Sequence, residues 1–256
     1  MRKRLFTTAA TIGLFMLWTQ GATTQAAEVR IIAGSGFSQV LGELGPQFER
    51  ATGHKLVIQY GITGSMKRQI ESGEAFDLAI VPAGLMNDVT KQGKIVAATR
   101  TEIARAGMAV SARAGARKPD ISSADAFKRA LLNAKSVTYA AEGATGIHLA
   151  KVLEGLGIAE QMKAKTKPQQ STDGIVQAVA SGEAELGFAV ATVFQSVRGV
   201  ELVGLFPPEL QNYLVFTAGV GTAAKQPDAA KALITHLTAP NAVLVLKAKG
   251  MEPVAR

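Results

Sequence analysis

The feature that most constrains this chain is a repeated switch in hydrophobic period. Short apolar runs fall at Val29–Ala33, Leu56–Tyr60, Leu78–Val81, Val137–Ala140 and Leu186–Val190. Runs of this length, bounded by glycine and polar residues, read as buried strands. Between them apolar residues return at helical spacing. Val40, Leu41, Leu44 and Phe48 follow the first run, and Met66 and Ile70 follow the second. Helical segments are also predicted over Ile147–Leu156 and around Ile175, Val176 and Val179. Further strands are predicted at Ala109–Ala112, Val200–Leu205 and Val215–Gly219. Two closing helices begin near Pro227 and Pro240, where a missing amide hydrogen costs nothing. This alternation predicts an α/β architecture with largely parallel sheets.

Four loops lead into helix starts and carry the chemistry expected of a binding site. They are Ala33-Gly34-Ser35-Gly36-Phe37-Ser38, Gly61-Ile62-Thr63-Gly64-Ser65, Glu142-Gly143-Ala144-Thr145-Gly146 and Gln170-Ser171-Thr172-Asp173-Gly174. A helix start exposes unpaired amide hydrogens and about half a positive charge. Glycine lets the backbone approach a ligand, and hydroxyls add donors. In open α/β sheets ligands lie beyond the carboxyl ends of the strands, where these loops sit. Several such ends meeting in one cleft would hold an anion without a charged side chain. Ordinary helix capping explains any one of these loops equally well. Spacing alone does not bring the four together.

The first residues read as an export signal. Arg2, Lys3 and Arg4 precede an apolar stretch from Leu5 to Trp18, and small residues follow through Ala26-Ala27. The order basic, apolar, small predicts cleavage after Ala26 or Ala27. The apolar stretch is interrupted by Thr7, Thr8, Thr11 and Gly13 and is shorter than the ~20 residues of a spanning helix. The mature chain is therefore expected in the periplasm. Loss of the signal takes the formal charge from +8 to +5. A modest positive balance suits anionic ligands. The basic residues are scattered, which argues against nucleic acid. There is no cysteine, which excludes disulfides and thiolate metal sites.

Other chemistries have little support in the sequence. Gly34-Ser35-Gly36 starts like a dinucleotide fingerprint, but Gln39 stands at the third glycine. Ser35 lacks the glycine spacing of a nucleophile elbow. His54, His148 and His236 are isolated from one another. His54 reads as solvated at a turn, His236 as a face of a terminal helix, and His148 as a surface residue or a ligand contact. Asp77 reads as a loop anchor and Asp173 as a helix cap. Without tryptophan after signal removal, and with three tyrosines, the chain is a poor carbohydrate binder. No catalytic residue, cofactor or metal site is expected, and the chain is expected not to be an enzyme.

The order of several segments resembles the molybdate-binding branch of the ABC-transporter solute-binding proteins. These segments are Val29–Phe37, Phe48-Glu49-Arg50-Ala51-Thr52-Gly53, Gly61–Gly73, Phe76-Asp77-Leu78-Ala79-Ile80, Gly182–Phe188 and Ala239-Pro240-Asn241-Ala242. The resemblance implies a two-lobed type II periplasmic binding protein fold with a hinge of two crossing strands. The crossings would fall near Met108–Ser111 and Tyr213–Gly219. It implies a signal peptide at residues 1–26, one lobe from residues 27–108 and 219–256, and a second from 109–218. It implies a small anionic ligand, here a molybdate-like oxyanion, and an ABC transporter permease as partner. Contact with the membrane would come only through that permease, and the protein would be a monomer.

Carried over by position, the ligand set is Ser35, Gly36 and Phe37 in the first loop and Thr63, Gly64 and Ser65 in the second. Thr145 and Thr172 follow, with Val190 on the second lobe. The family's first serine falls at Gly36 and its tyrosine at Val190. These departures leave open a different oxyanion, a small organic carboxylate, or a sensory or interaction protein that has lost transport.

Overall fold

The computed structural model describes residues 26–195 and 197–254. The basic and apolar part of the expected signal lies outside the described residues. The elements run in chain order as β1 (Glu28–Gly34), α1 (Ser38–Thr52), β2 (Lys55–Gly61), α2 (Thr63–Glu71), β3 (Leu78–Pro82) and α3 (Ala83–Lys91). Next come β4 (Thr101–Arg113), α4 (Ala124–Asn133), β5 (Val137–Ala140), α5 (Ala144–Gly155), α6 (Ala159–Lys163) and β6 (Thr166–Gln169). The chain continues through α7 (Thr172–Ser181), β7 (Leu186–Val190), β8 (Val200–Leu205) and β9 (Tyr213–Val220). It ends with α8 (Pro227–Leu237), α9 (Pro240–Ala248) and β10 (Glu252–Pro253).

Two lobes share one strand. In the first lobe the order is β2-β1-β3-β9-β4, with β1 parallel to both β2 and β3. In the second, β7 lies between β4 and β5, and β5 pairs with β6 in parallel. β4 belongs to both. Its residues Thr101–Gly107 pair with β9, and Met108–Ala112 pair with β7. The chain returns from β8 through residues 206–212 into β9. Outward and return passes must run in opposite directions, so β9 is antiparallel to β4 and to β3. The expectation of largely parallel sheets is corrected for this reason: parallel βαβ units flank an antiparallel centre.

Burial follows strand parity. On β1, Val29, Ile31 and Ala33 enter one core with Val40, Leu41, Leu44 and Phe48 of α1 and Leu233 and Leu237 of α8. Ile32 on the opposite face joins Met66 and Ile70 of α2 and Leu85, Met86 and Val89 of α3. Both faces of that sheet are therefore covered by helices, which is why β3 is buried at every position. The second lobe has a core around Phe127, Phe188 and Phe206, and another around Ile175, Val179 and Phe194 that Ile62 of the first lobe joins.

β4 is far longer than the four residues its apolar run predicts. Glu102 and Arg105 interrupt the apolar pattern, yet they sit on exposed positions beside the buried Ile103, Ala104 and Ala106–Ala112. Arg105 is held outside by Glu252 and lies 4.6 Å from the centre of the Tyr213 ring. The helices α3 and α4 and the short strand β6 also go unpredicted, although α4 is capped by Ser123 and buries Phe127 and Leu131 on one face.

Candidate functional site

Parallel strands carry their helix starts to one edge, and the two lobes turn these edges towards each other. The starts of α2 and α3 in the first lobe meet those of α5 and α7 in the second, together with the 3-10 turn Ser35–Phe37. They line a partly open cleft between the lobes. The residues before α2, α3 and α5 are Ile62, Pro82 and Gly143, and none of them caps its helix with a side chain. Around α5 the backbone bonds run from the Gly143 amide to the Ala140 carbonyl and from the Ile147 amide to the Gly143 carbonyl. Among the described residues the amides of residues 144–146 have no backbone partner and remain free to donate. The Thr145 side chain is buried, lines the cleft and donates to nothing among the described residues. α7 differs, because the Ser171 hydroxyl accepts from the Gly174 amide at 3.1 Å.

Among the described residues, none that lines the cleft is charged. The positive potential of the cleft comes from backbone dipoles, which cost no reorganisation when an anion arrives. The remaining wall is apolar, formed by Met66, Ile175, Phe188, Val190, Val193, Leu214 and Phe216. One half of the cleft thus offers hydrogen-bond donors and the other offers hydrocarbon. Gly36 makes this wall possible. A Cβ at Gly36 would lie 2.6 Å from Val190 Cγ2 and 3.0 Å from Phe216 Cζ.

The lobes touch at both ends of the cleft. Gln39 Nε2 donates to the carbonyls of Thr192 at 2.9 Å and Gln195 at 2.7 Å, and the Thr192 hydroxyl donates to the Gly36 carbonyl at 2.7 Å. At the mouth, the Gly64 amide donates to the Glu142 carbonyl at 3.0 Å, and Arg68 Nη1 donates to Glu142 Oε2 at 2.7 Å.

Of the nine residues singled out in the sequence, Ser35, Gly36, Thr63, Thr145, Thr172 and Val190 lie along this cleft. The other three do not. Phe37 is fully buried, its ring centre 5.4 Å from that of Phe216, so it supports the cleft wall from behind. Gly64 spends its amide on Glu142. Ser65 faces an adjoining cavity, and its hydroxyl donates to the Ile62 carbonyl. His148 Nε2 lies 2.8 Å from the Leu210 carbonyl, away from the cleft lining. His54 is buried rather than solvated, and its Nδ1 accepts from the Ala27 amide. Asp77 anchors a loop as expected, accepting from the amides of Arg30, Lys225 and Gln226. Asp173 does not cap α7, since Ser171 holds that position. The apolar wall was missed, because a core residue and a cleft residue of the same type look identical in sequence. Pro82 was missed because α3 was.

The family model for bacterial extracellular solute-binding proteins matches residues 29–252. Aconitate isomerase from a Pseudomonas species is 29% identical over 247 residues, covering 93% of this chain and 91% of that protein. The molybdate-binding protein ModA of Azotobacter vinelandii is 32% identical over 238 residues, covering 88% of this chain and 90% of the relative. A solved structure of the Azotobacter vinelandii periplasmic molybdate-binding protein superposes with a TM-score of 0.74 at 21% identity, covering 89% of this chain and 99% of that one.

The isomerase relative overturns the expectation that the chain is not an enzyme. That expectation rested on the lack of a nucleophile–base pair, which is a test for hydrolysis. An isomerisation needs only a held substrate and a proton donor or acceptor, and such a site leaves no paired signature in sequence.

Proposed function

The chain belongs to the bacterial extracellular solute-binding proteins, and on that premise we propose that it captures a small carboxylate anion between its lobes. On this reading it delivers the anion to the permease of an ABC transporter. It works as a monomer in the periplasm after loss of residues 1–26. Residues 27–108 and 219–256 form one lobe and 109–218 the other, and they close on the ligand about the strands that cross between them. Ser35, Thr63, Thr145 and Thr172 supply hydroxyl or amide donors to the anion, and Gly36 and Val190 shape the wall beside its carbon skeleton.

The observation that carries this reading is the divided cleft. Uncapped helix starts face a wall that includes Val190 and Phe216, with no charged side chain of the described residues between them. A bare tetrahedral oxyanion would leave that wall unused, whereas a carboxylate has hydrocarbon to bury. Further support comes from the relative that acts on aconitate. The molybdate-binding relative supports anion capture as the general task.

Thermal unfolding with a panel of anions tests the reading. Ligand at 100 times its dissociation constant stabilises by about 2.7 kcal/mol, or roughly 5–10 °C for a chain of this size. The panel contains cis-aconitate, tricarballylate, succinate, molybdate, tungstate and sulfate. Shifts with carboxylates are expected. Shifts with molybdate and tungstate alone would sink the carboxylate reading.

A second reading rests on the isomerase relative, which aligns with nearly the whole chain. On it the cleft rearranges an unsaturated carboxylate as well as holding it. Proton NMR of cis-aconitate incubated with the protein in deuterium oxide checks this. Appearance of the trans isomer supports catalysis, and unchanged substrate removes it.

A further inference from the structure

Gln39 breaks the glycine fingerprint of the first loop, and it takes no part in lining the cleft. It stands in the first turn of α1, with its carboxamide reaching the other lobe. Nε2 carries two hydrogens, and both are used across the lobe boundary. One goes to the Thr192 carbonyl at 2.9 Å and the other to the Gln195 carbonyl at 2.7 Å. These carbonyls lie at the end of the 3-10 turn Ala191–Val193, where a helical turn leaves its last acceptors without partners. A helix of the first lobe thus caps a turn of the second.

The same short segment is built into the cores of both lobes. Val190 is buried with Phe37, Val40 and Leu41 in the first-lobe core, and Val193 packs against that core. Ala191 and Phe194 are instead buried with Ile175 and Val179 of the second lobe. The Thr192 hydroxyl adds its bond to the Gly36 carbonyl, and the Gln195 side chain lies against Gly250, leaving no room there for a Cβ. All of this sits beside the point where β4 passes between the lobes, since Val190 pairs with Met108. The mouth, at the opposite end of the cleft, is held by the main-chain bond from Gly64 to Glu142 and by the exposed Arg68–Glu142 pair. Parting the lobes at the turn would expose apolar side chains and break three hydrogen bonds. Parting them at the mouth costs far less, because exposed ion pairs contribute little.

We propose that Val190–Gln195 is the fulcrum on which the lobes turn, and that Gln39 is the positioning residue that holds it. The inference rests on the reading that the lobes close on a ligand. As the mouth parts, Val190, Val193 and Phe216 stay together, so the apolar wall is complete before a ligand arrives. The donors at the start of α5, beside the mouth, are the last to reach it.

Pulsed electron paramagnetic resonance on the ligand-free protein tests the proposal. The chain has no cysteine, so paired cysteine substitutions take spin labels without background. Glu43→Cys with Arg198→Cys spans the fulcrum, and Lys67→Cys with Lys151→Cys spans the mouth; all four positions are exposed. The mouth pair is expected to give a distance distribution roughly twice as wide as the fulcrum pair, because a hinge displaces its far edge more than its axis. Gln39→Leu should widen the fulcrum distribution to match that at the mouth. Gln39→Glu keeps the shape of the side chain and removes both donors, and it should do the same. A residue that only stabilised the fold would lower the unfolding temperature and leave both widths alone. With Gln39 in place, wide distributions at both pairs overturn the fulcrum and leave closure intact. Narrow distributions at both remove closure and the fulcrum together. A fulcrum pair that stays narrow in both Gln39 variants overturns the role given to Gln39. None of these outcomes depends on which anion the cleft holds.

Discussion

A single missing side chain sets the character of the binding wall. At Gly36 the space for a Cβ is already filled by Val190 Cγ2 at 2.6 Å, and Thr192 fastens the Gly36 carbonyl from the other lobe. Substitution Gly36→Ser therefore forces Val190 or the lobe contact to move. Overpacking of this kind costs about 1–3 kcal/mol. Here it falls on lobe closure, so ligand affinity should drop tenfold or more in a calorimetric titration. Adding Val190→Ala to Gly36→Ser makes room and should recover most of the loss. If the double variant binds as weakly as the single one, the contact between these two residues does not shape the site. The pair also shows what sequence can and cannot convey. Gly36 and Val190 both stand out as departures from the family pattern, but 154 positions apart nothing reveals that one fills the space the other leaves empty.

At the scale of elements, the site is made from helix starts, and their free amides can be removed one at a time. Ala144 is the first helical residue of α5, and Gly143 before it is extended at φ −81° and ψ 155°. That geometry suits the residue before a proline, and proline is well tolerated at the first helical position. Ala144→Pro should leave the unfolding temperature of the ligand-free protein nearly unchanged while weakening anion binding several-fold. A fall in thermal stability with unchanged affinity would mean that this amide serves the fold alone. Strand and helix order was largely readable, because a run such as Leu78–Val81 or a face such as Val40, Leu44 and Phe48 expresses burial directly in composition. β4 was not, because half of it lies at a lobe boundary where charged residues reach solvent between buried neighbours. α3 begins at Ala83-Gly84, with no capping residue to mark it.

On the proposed reading the molecule works by closing its lobes on a ligand, and a small latch at the cleft mouth would bias that closure. Glu142 accepts from the Gly64 amide through its carbonyl and from Arg68 through its carboxylate. The ion pair is more than half exposed on both sides, so it contributes only about 0.2–1 kcal/mol. Glu142→Ala keeps the main-chain bond and removes the charge pair. Apparent ligand affinity should fall roughly one-and-a-half- to fivefold at low salt, and the difference should vanish at high salt, where exposed pairs are screened. A difference of the same size at both salt concentrations would mean that the carboxylate acts on the ligand rather than on closure. By itself the sequence determined the α/β class, the loops at the strand ends and the absence of thiol chemistry, because periodicity and composition are local properties. Only the tertiary structure decided which loops face one another, that Phe37 lies behind the cleft and that an apolar wall completes it. Those facts depend on two lobes folding back across β4, and no local pattern encodes the distance between residues that meet only when the chain returns.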